Sequence, residues 1–166
     1  AQRDAEIQRL RAENAELQRQ LDTDPLTGVL SRAAYERDIQ NARGVATIDL
    51  KQFKGYNTVG GQTGGDLVLK AFAKAMKDAE SDGVRAYRPG GDEFAFLSAD
   101  NEQSARDAAD RLQQFAADIR LSLGKDGVTY SIEGVPFTAG IGHDAESADT
   151  NLSANKGDYD RNALPE

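Results

Sequence analysis

The first 22 residues carry an apolar pattern that repeats every seven positions. This stretch contains no Gly or Pro and only one β-branched residue, a composition typical of a helix. Its apolar a and d positions are Ile7, Leu10, Leu17 and Leu21. Asn14 stands at the remaining a position, which favours a parallel two-stranded coiled coil in a single register. The alternative is an amphipathic helix that packs on its own domain.

From residue 24 onwards, apolar residues recur alternately at helical spacing and at the two-residue period of strands. The predicted helices are 31–41, with Ser31 as the N-cap, 52–56, 66–79, with Asp66 as the N-cap, and 103–121. Between the second and third of these helices we predict a glycine-rich loop with Gly60, Gly61, Gly64 and Gly65. The predicted strands are 44–50, 84–87, 94–98, 129–135 and 137–141. This order predicts an α+β fold, a ferredoxin-like βαββαβ palm with a mostly antiparallel sheet and helices on one face. We therefore divide the chain into a coiled-coil dimerisation helix at 1–23 and a second domain at 24–166.

Two groups of acidic residues lie at predicted strand ends. Gly90-Gly91-Asp92-Glu93 reads as a tight hairpin with carboxylates at its tip, and Asp49 ends the strand 44–50. An acidic hairpin by itself is often only a solvated turn. If the strand ending at Asp49 lies beside the hairpin, however, Asp49 and Asp92 meet at one end of the sheet. Two carboxylates there, with a lysine nearby, are what a Mg²⁺–nucleotide site requires.

Four motifs occur in an order that resembles a known family. They are Asp24-Pro25-Leu26-Thr27-Gly28, Asp49-Leu50-Lys51-Gln52-Phe53-Lys54-Gly55-Tyr56-Asn57, Gly64-Gly65-Asp66 and Gly90-Gly91-Asp92-Glu93-Phe94. Together they resemble GGDEF domains, the diguanylate cyclases that join two GTP into cyclic di-GMP. The resemblance implies a nucleotidyl cyclase-like palm whose preceding coiled coil carries a signal into the catalytic domain.

The resemblance also implies a role for each site residue. The expected metal ligands are Asp49, Asp92 and the Leu50 carbonyl. The expected cofactor is Mg²⁺, with Mn²⁺ as an alternative. Glu93 is the third catalytic carboxylate, either as a base or as a ligand of a second metal. The guanine base is assigned to Asn57 and Asp66, and the phosphates to Phe53, Lys54 and Lys156. Without the resemblance, Phe53 would be interpreted as a core residue and Lys54 as an exposed lysine with no binding role.

Composition limits the partners of the chain. The net charge of −8 argues against nucleic acid or an anionic membrane surface as a partner. The absence of Cys fits a reducing compartment, and we expect a cytoplasmic location. The expected partners are GTP and a second copy of the chain. Because the sequence begins at Ala1 and not at Met, an upstream segment is also expected, and a sensor domain is one candidate for it.

Two of the departures from the family pattern bear on whether the domain is active. Lys51 stands where the family often has a second Asp, and the C-terminal signature is only partly present. In that signature Lys156 is a plausible phosphate ligand and Arg161 a weaker one. These departures keep open an alternative function, a catalytically degenerate GGDEF module that binds GTP as a regulatory or dimerisation element.

Overall fold

The computed structural model describes residues 1–156 of the chain. The helices are α1 (Gln2–Asp22), α2 (Arg32–Asp38), α3 (Phe53–Asp78), α4 (Glu102–Ala117) and α5 (Ala145–Lys156). The strands are β1 (Gly44–Leu50), β2 (Val84–Gly90), β3 (Glu93–Ser98), β4 (Arg120–Lys125), β5 (Val128–Glu133) and β6 (Phe137–Gly142). The predicted α+β class is confirmed, and β1, α3, β2, β3, α4 and β6 form the predicted βαββαβ unit.

The main sheet has four strands in the order β2-β3-β1-β6. Every neighbouring pair is antiparallel, as the order of the elements predicted. The interior strand β1 is buried along almost its whole length, which fits its apolar sequence Gly44-Val45-Ala46-Thr47-Ile48-Asp49-Leu50. Asp49 is the only ionisable residue of this strand, so it lies where a carboxylate is costly to bury.

Helices cover both faces of the sheet, so the prediction of helices on one face is only partly right. On one face, Ala46, Ile48 and Leu50 of β1 pack with α3 and α4 in the larger apolar core. On the other face, Val45 joins a smaller cluster with residues of α2 and α5. The two-residue period of β1 explains the division, because alternate side chains point to opposite faces.

Helix α3 runs through the glycine-rich segment that we predicted to be a loop. Only Gly61 leaves the helical conformation, with φ 67° and ψ −170°, so α3 is two helical segments joined at a kink. Gly60 lies so close to the Leu123 side chain of β4 that a Cβ on it would come 3.0 Å from the Leu123 Cβ. Gly64 lies beside the same side chain, where a Cβ would make an ordinary contact at 3.6 Å. Asp66 is consequently inside a helix that has already resumed, and the prediction that it caps the helix is wrong.

The hairpin β4–β5 forms a separate two-stranded sheet. Only β5 overlaps a predicted strand, whereas the start of β4 was assigned to the helix 103–121. Ile119 continues the helical spacing of Leu112 and Phe115, but the helix ends at Ala117. Leu123 and Ile132 anchor the hairpin in the larger core. Burial of these two side chains, which sequence spacing does not reveal, therefore decides where the helix ends.

Helix α1 buries none of its residues within the described chain. Its heptad residues Ile7, Leu10, Leu17 and Leu21 are all exposed, Leu21 by 64%. After α1, the linker returns to the sheet, where the Leu30 amide donates to the Ala86 carbonyl of the edge strand β2 at 3.1 Å. The predicted cap of the next helix is present, since the Ala34 amide donates to the Ser31 hydroxyl at 3.3 Å. None of the helices in residues 1–156 has both the length and the apolar composition needed to span a bilayer.

Helix α5 is seated on β6 at two glycines. A Cβ on Gly140 would overlap the Ala148 carbonyl oxygen and the Leu152 nitrogen of α5. A Cβ on Gly142 would overlap the Ser147 hydroxyl. Bare backbone at these positions therefore sets the distance between α5 and the sheet.

We expect Gly140→Ala to lower the free energy of unfolding by about 1–3 kcal/mol, because the new methyl group must displace helix backbone. Gly124→Ala is the matched control, since a Cβ there would lie 3.6 Å from the nearest atom, the Val128 carbonyl oxygen. Urea unfolding of both variants measures the difference. Equal stability of the two would show that α5 is not held by this close approach.

Candidate active site

The pairing of β1 with its two neighbours builds the candidate site. Asp49 lies opposite Glu93 of β3 on one side and Thr138 of β6 on the other. The next residue, Leu50, donates its amide to the Asp92 carbonyl at 3.4 Å. The end of β1 and the tip of the β2–β3 hairpin are therefore side by side, as predicted from the sequence.

The hairpin tip places Asp92 in a tight turn. Gly90 pairs with Glu93, so Gly91 and Asp92 form the two-residue loop. Of the two glycines only Gly91 takes a positive φ, of 43°, a conformation that favours Gly. Asp92 is 9% exposed and Asp49 only 1%, whereas Glu93 is exposed. The turn thus places one carboxylate at the edge of the buried site and the next in solvent.

The donors at this sheet end fit a hard divalent cation that is shared with a substrate. Asp49 and Asp92 offer carboxylate oxygens, and the Leu50 backbone offers a carbonyl. Within residues 1–156 no cluster of three or more His, Cys, Asp or Glu could hold a metal on its own. Mg²⁺ commonly uses only one or two protein carboxylates and completes its octahedron with water and phosphate oxygens. The residues present suit such an ion.

Lys156 lies at the same carboxylate. Its Nζ is 2.7 Å from Oδ2 of Asp49, and the lysine side chain is 33% exposed. Lys156 is the last residue of α5, so the seating of this helix on β6 brings the ammonium to the site. Lys156, the predicted phosphate ligand, thus contacts an expected metal ligand, and its assignment to phosphate stays a prediction. Arg161, the weaker phosphate candidate, lies outside the described residues.

The start of α3 faces the end of β1. Between the two, Gln52 adopts a left-handed conformation with φ 59°, which is uncommon for a residue other than Gly. Phe53 and Lys54 follow in the first helical turn, where backbone amides have no acceptor within the helix. Phe53 packs partly buried against the core, and the Lys54 side chain is exposed. The amides of this turn are a suitable place for phosphate.

The kink in α3 brings together the two residues assigned to guanine. A Cβ on Gly65 would overlap Oδ1 of Asn57, so the Asn57 side chain lies directly over the Gly65 backbone. Asp66 is the next residue, and both Asn57 and Asp66 are partly exposed. The Asn57 carboxamide thus lies against the backbone that immediately precedes Asp66.

Two further residues near the acidic cluster were missed as site residues. Thr138 lies opposite Asp49, and its buried Oγ1 has no hydrogen-bond partner among the described residues. Burial raises the pKa of the Tyr35 phenol, and the carboxylates of Asp149 and Glu93 raise it further. Tyr35 is therefore protonated at neutral pH and is a hydrogen-bond donor close to the carboxylates. Apolar patterning identifies Tyr35 only as inward-facing, and Thr138 only as a strand residue.

Comparison with known proteins identifies the family. Residues 21–159 match the family described as diguanylate cyclase, GGDEF domain. The chain belongs to the GGDEF domain family.

Named relatives agree with this assignment. The domain is 36% identical over 126 residues to the diguanylate cyclase VdcA of Vibrio cholerae, covering 72% of this chain and 35% of the relative. It is 36% identical over 155 residues to the diguanylate cyclase TpbB of Pseudomonas aeruginosa, covering 86% of this chain and 34% of the relative. The chain thus spans about a third of the length of these relatives.

A solved structure shows the same fold. The coiled coil and GGDEF domain of DgcB from Caulobacter crescentus, in complex with c-di-GMP, superposes with a TM-score of 0.76 at 22% identity. The match covers 99% of this chain and 95% of that one. The likeness therefore includes the helix that precedes the GGDEF domain.

Arg88 connects the linker after α1 to the GGDEF hairpin. Its Nη1 lies 3.1 Å from Oδ2 of Asp24, with the two side chains only 15% and 18% exposed. Its Nε donates to the Gly91 carbonyl at 2.9 Å. Asp24 in turn accepts from the amide and hydroxyl of Thr27 at 3.1 and 2.6 Å. One guanidinium thus joins the turn that ends α1 to the turn that carries Asp92.

We expect Arg88→Lys to lower the free energy of unfolding by about 1–3 kcal/mol, because an ammonium cannot reproduce the planar fork that serves both Asp24 and Gly91. Arg85→Lys on the same strand is the control, since its ion pair with Glu80 involves an arginine that is 61% exposed. Urea unfolding of the two variants, followed by circular dichroism, makes the comparison. A loss at Arg88 no greater than that at Arg85 would contradict this role.

Proposed function

We propose that this GGDEF domain condenses two molecules of GTP into cyclic di-GMP with release of pyrophosphate. The observation that carries the proposal is the meeting of Asp49, Leu50 and Asp92 at one end of the sheet, directly before the first turn of α3. Acidic oxygens and free helix amides are thereby next to one another, as a metal-bound triphosphate requires. The diguanylate cyclases among its relatives support the same reaction.

Asp49, Asp92 and the Leu50 carbonyl would hold the metal, for which we propose Mg²⁺ with Mn²⁺ as an alternative. When bound, the metal supplies positive charge that stabilises the phosphoryl transition state and the pyrophosphate leaving group. The amides of Phe53 and Lys54 would orient the triphosphate. Glu93 lies next to Asp49 but is exposed, so it is placed to take the proton of the attacking 3′-hydroxyl or to bind a second ion.

Asn57 and Asp66 would recognise guanine. The Watson–Crick edge of guanine presents two donors, N1–H and the 2-amino group, and one carboxylate accepts both. Adenine presents an acceptor at N1, so its lone pair would oppose the Asp66 charge. A site that hydrogen-bonds its substrate in this way rejects such an analogue by about 10⁴-fold or more.

The reaction needs two GTP and therefore two domains, with the 3′-hydroxyl in one site attacking the α-phosphate in the other. Helix α1 provides the means of pairing them, because its exposed heptad stripe has no covering within the described chain. A coiled coil between two copies would bury this stripe and raise the effective concentration of one site near the other. We propose a parallel homodimer in the cytoplasm, where GTP is made and used.

The experiment that tests this function is incubation of the full chain with Mg²⁺ and GTP, ATP or both, followed by mass spectrometry. We expect cyclic di-GMP from GTP alone, and a dimer mass for the same preparation by light scattering. A product containing adenine would overturn the guanine assignment of Asn57 and Asp66. Binding of GTP without any product would favour the degenerate regulatory module.

We expect Asp92→Asn to lower turnover by about 100-fold or more, because it removes a charged metal ligand from the site. Asp126→Asn is the matched control, an exposed acid in the turn of the second hairpin, where Asn tolerates its φ of 55°. Initial rates of pyrophosphate release measure both variants. Comparable rates in the two would overturn the metal assignment of Asp92.

We expect Gly65→Ala to weaken GTP binding about tenfold, because the new methyl group displaces the Asn57 carboxamide and its hydrogen bond to the base. Gly64→Ala is the control on the same helix, since a Cβ there would lie 3.4 Å from the nearest atom, the Tyr56 carbonyl oxygen. The helix gains stability from Ala in either case, so a lower melting temperature is not expected. Calorimetric titration with GTP distinguishes the variants, and equal affinities would count against the guanine role of Asn57.

A further inference from the structure

The carboxylate proposed as a metal ligand already has a cation beside it. Nζ of Lys156 lies 2.7 Å from Oδ2 of Asp49, whose side chain is only 1% exposed. An ionised carboxylate with so little access to water needs a compensating positive charge close by. In this structure, the end of α5 provides such a charge.

A divalent cation on Asp49 would share this carboxylate with the ammonium. Mg²⁺ binds carboxylate oxygens at about 2.0–2.1 Å, so an ion on either oxygen of Asp49 would lie within a few ångströms of the Lys156 ammonium. Two positive charges at that separation repel each other strongly in a site with little water. The ammonium and the metal therefore compete for Asp49.

The Lys156 side chain can move away from Asp49. Its side chain is 33% exposed and extends from the last residue of α5, so the ammonium can move without disturbing the core. A lysine carries its charge on a flexible stem and has no fixed hydrogen-bonding geometry, unlike an arginine. A triphosphate at the start of α3 would offer it new anionic oxygens.

We propose that Lys156 is a displaceable counter-ion, which holds Asp49 in the nucleotide-free domain and releases this carboxylate when metal and triphosphate arrive together. The proposal rests on the function proposed above, and it adds that metal and nucleotide bind together and not metal first. Metal alone must displace the ammonium without offering it another partner, so metal alone binds weakly. Metal bound to nucleotide offers phosphate oxygens in exchange, so the two bind cooperatively.

The test measures Mn²⁺ binding to the full chain at pH 8, by electron paramagnetic resonance, without nucleotide. We expect Lys156→Met and Lys156→Gln to bind Mn²⁺ at least about tenfold more tightly than the unaltered protein, because the competing charge is gone. Lys156→Arg keeps that charge and is expected to bind as weakly as the unaltered protein. Lys125→Met is the matched control, since it removes an exposed lysine at the end of β4.

The same titrations are then repeated with 3′-deoxy-GTP, which cannot react. We expect the difference in Mn²⁺ affinity between Lys156→Met and the unaltered protein to shrink or disappear. In the unaltered protein, phosphate is then a new partner for the Lys156 ammonium. Circular dichroism checks that each variant is folded. Lys156→Met and Lys156→Gln both remove the charge, so we expect the two variants to bind Mn²⁺ alike.

The outcomes separate this proposal from the function on which it rests. If neutral variants bind Mn²⁺ no more tightly than the unaltered protein, while Mn²⁺ and 3′-deoxy-GTP still bind together, the counter-ion proposal alone is overturned. An equal increase in Mn²⁺ affinity in Lys125→Met would also overturn it, because the change in net charge would then explain the tighter binding. If neither Mn²⁺ nor the analogue binds any of the proteins, both proposals fail.

Discussion

The antiparallel register between β1 and β3 is the constraint on which the site depends. Because Asp49 pairs with Glu93, the tip of the GGDEF hairpin is held beside the end of β1, and the Leu50 amide reaches the Asp92 carbonyl. A shift by one residue would turn Asp49 towards the apolar core formed with α3 and α4. Burial of Ile48 and Leu50 in that core therefore also determines which face carries the carboxylates.

Close approach at a few glycines positions the helices that complete the site. Gly140 lets α5 lie directly on β6, and this brings Lys156 to Asp49. In α3, Gly65 leaves room for the Asn57 side chain next to Asp66. The residues that we propose for metal, phosphate and base thus lie on the sheet, on α3 and on α5, and close backbone packing helps to place these helices.

The linker after α1 is attached to the same hairpin. Arg88 contacts both Asp24 and the Gly91 carbonyl, while Leu30 continues the edge of β2. These polar contacts give a movement of α1 a direct physical connection to the turn that carries Asp92. Since α1 exposes its apolar stripe, pairing of two such helices and the arrangement of two sites are expected to be coupled.

The sequence alone determined the α+β class, the βαββαβ order, the Ser31 cap and the exact extent of β1. These features depend on local spacing and capping, which a few neighbouring residues encode. It also pointed to the carboxylates of the candidate site, because four motifs together resemble one family. Tertiary structure decided the features that depend on contacts between residues far apart in the chain. Packing against Leu123 keeps the glycine-rich segment helical, and burial of that residue ends α4 early and forms the second hairpin. The ion pair of Lys156 with Asp49 joins residues far apart in the chain, so only the folded arrangement of α5 on the sheet could reveal it.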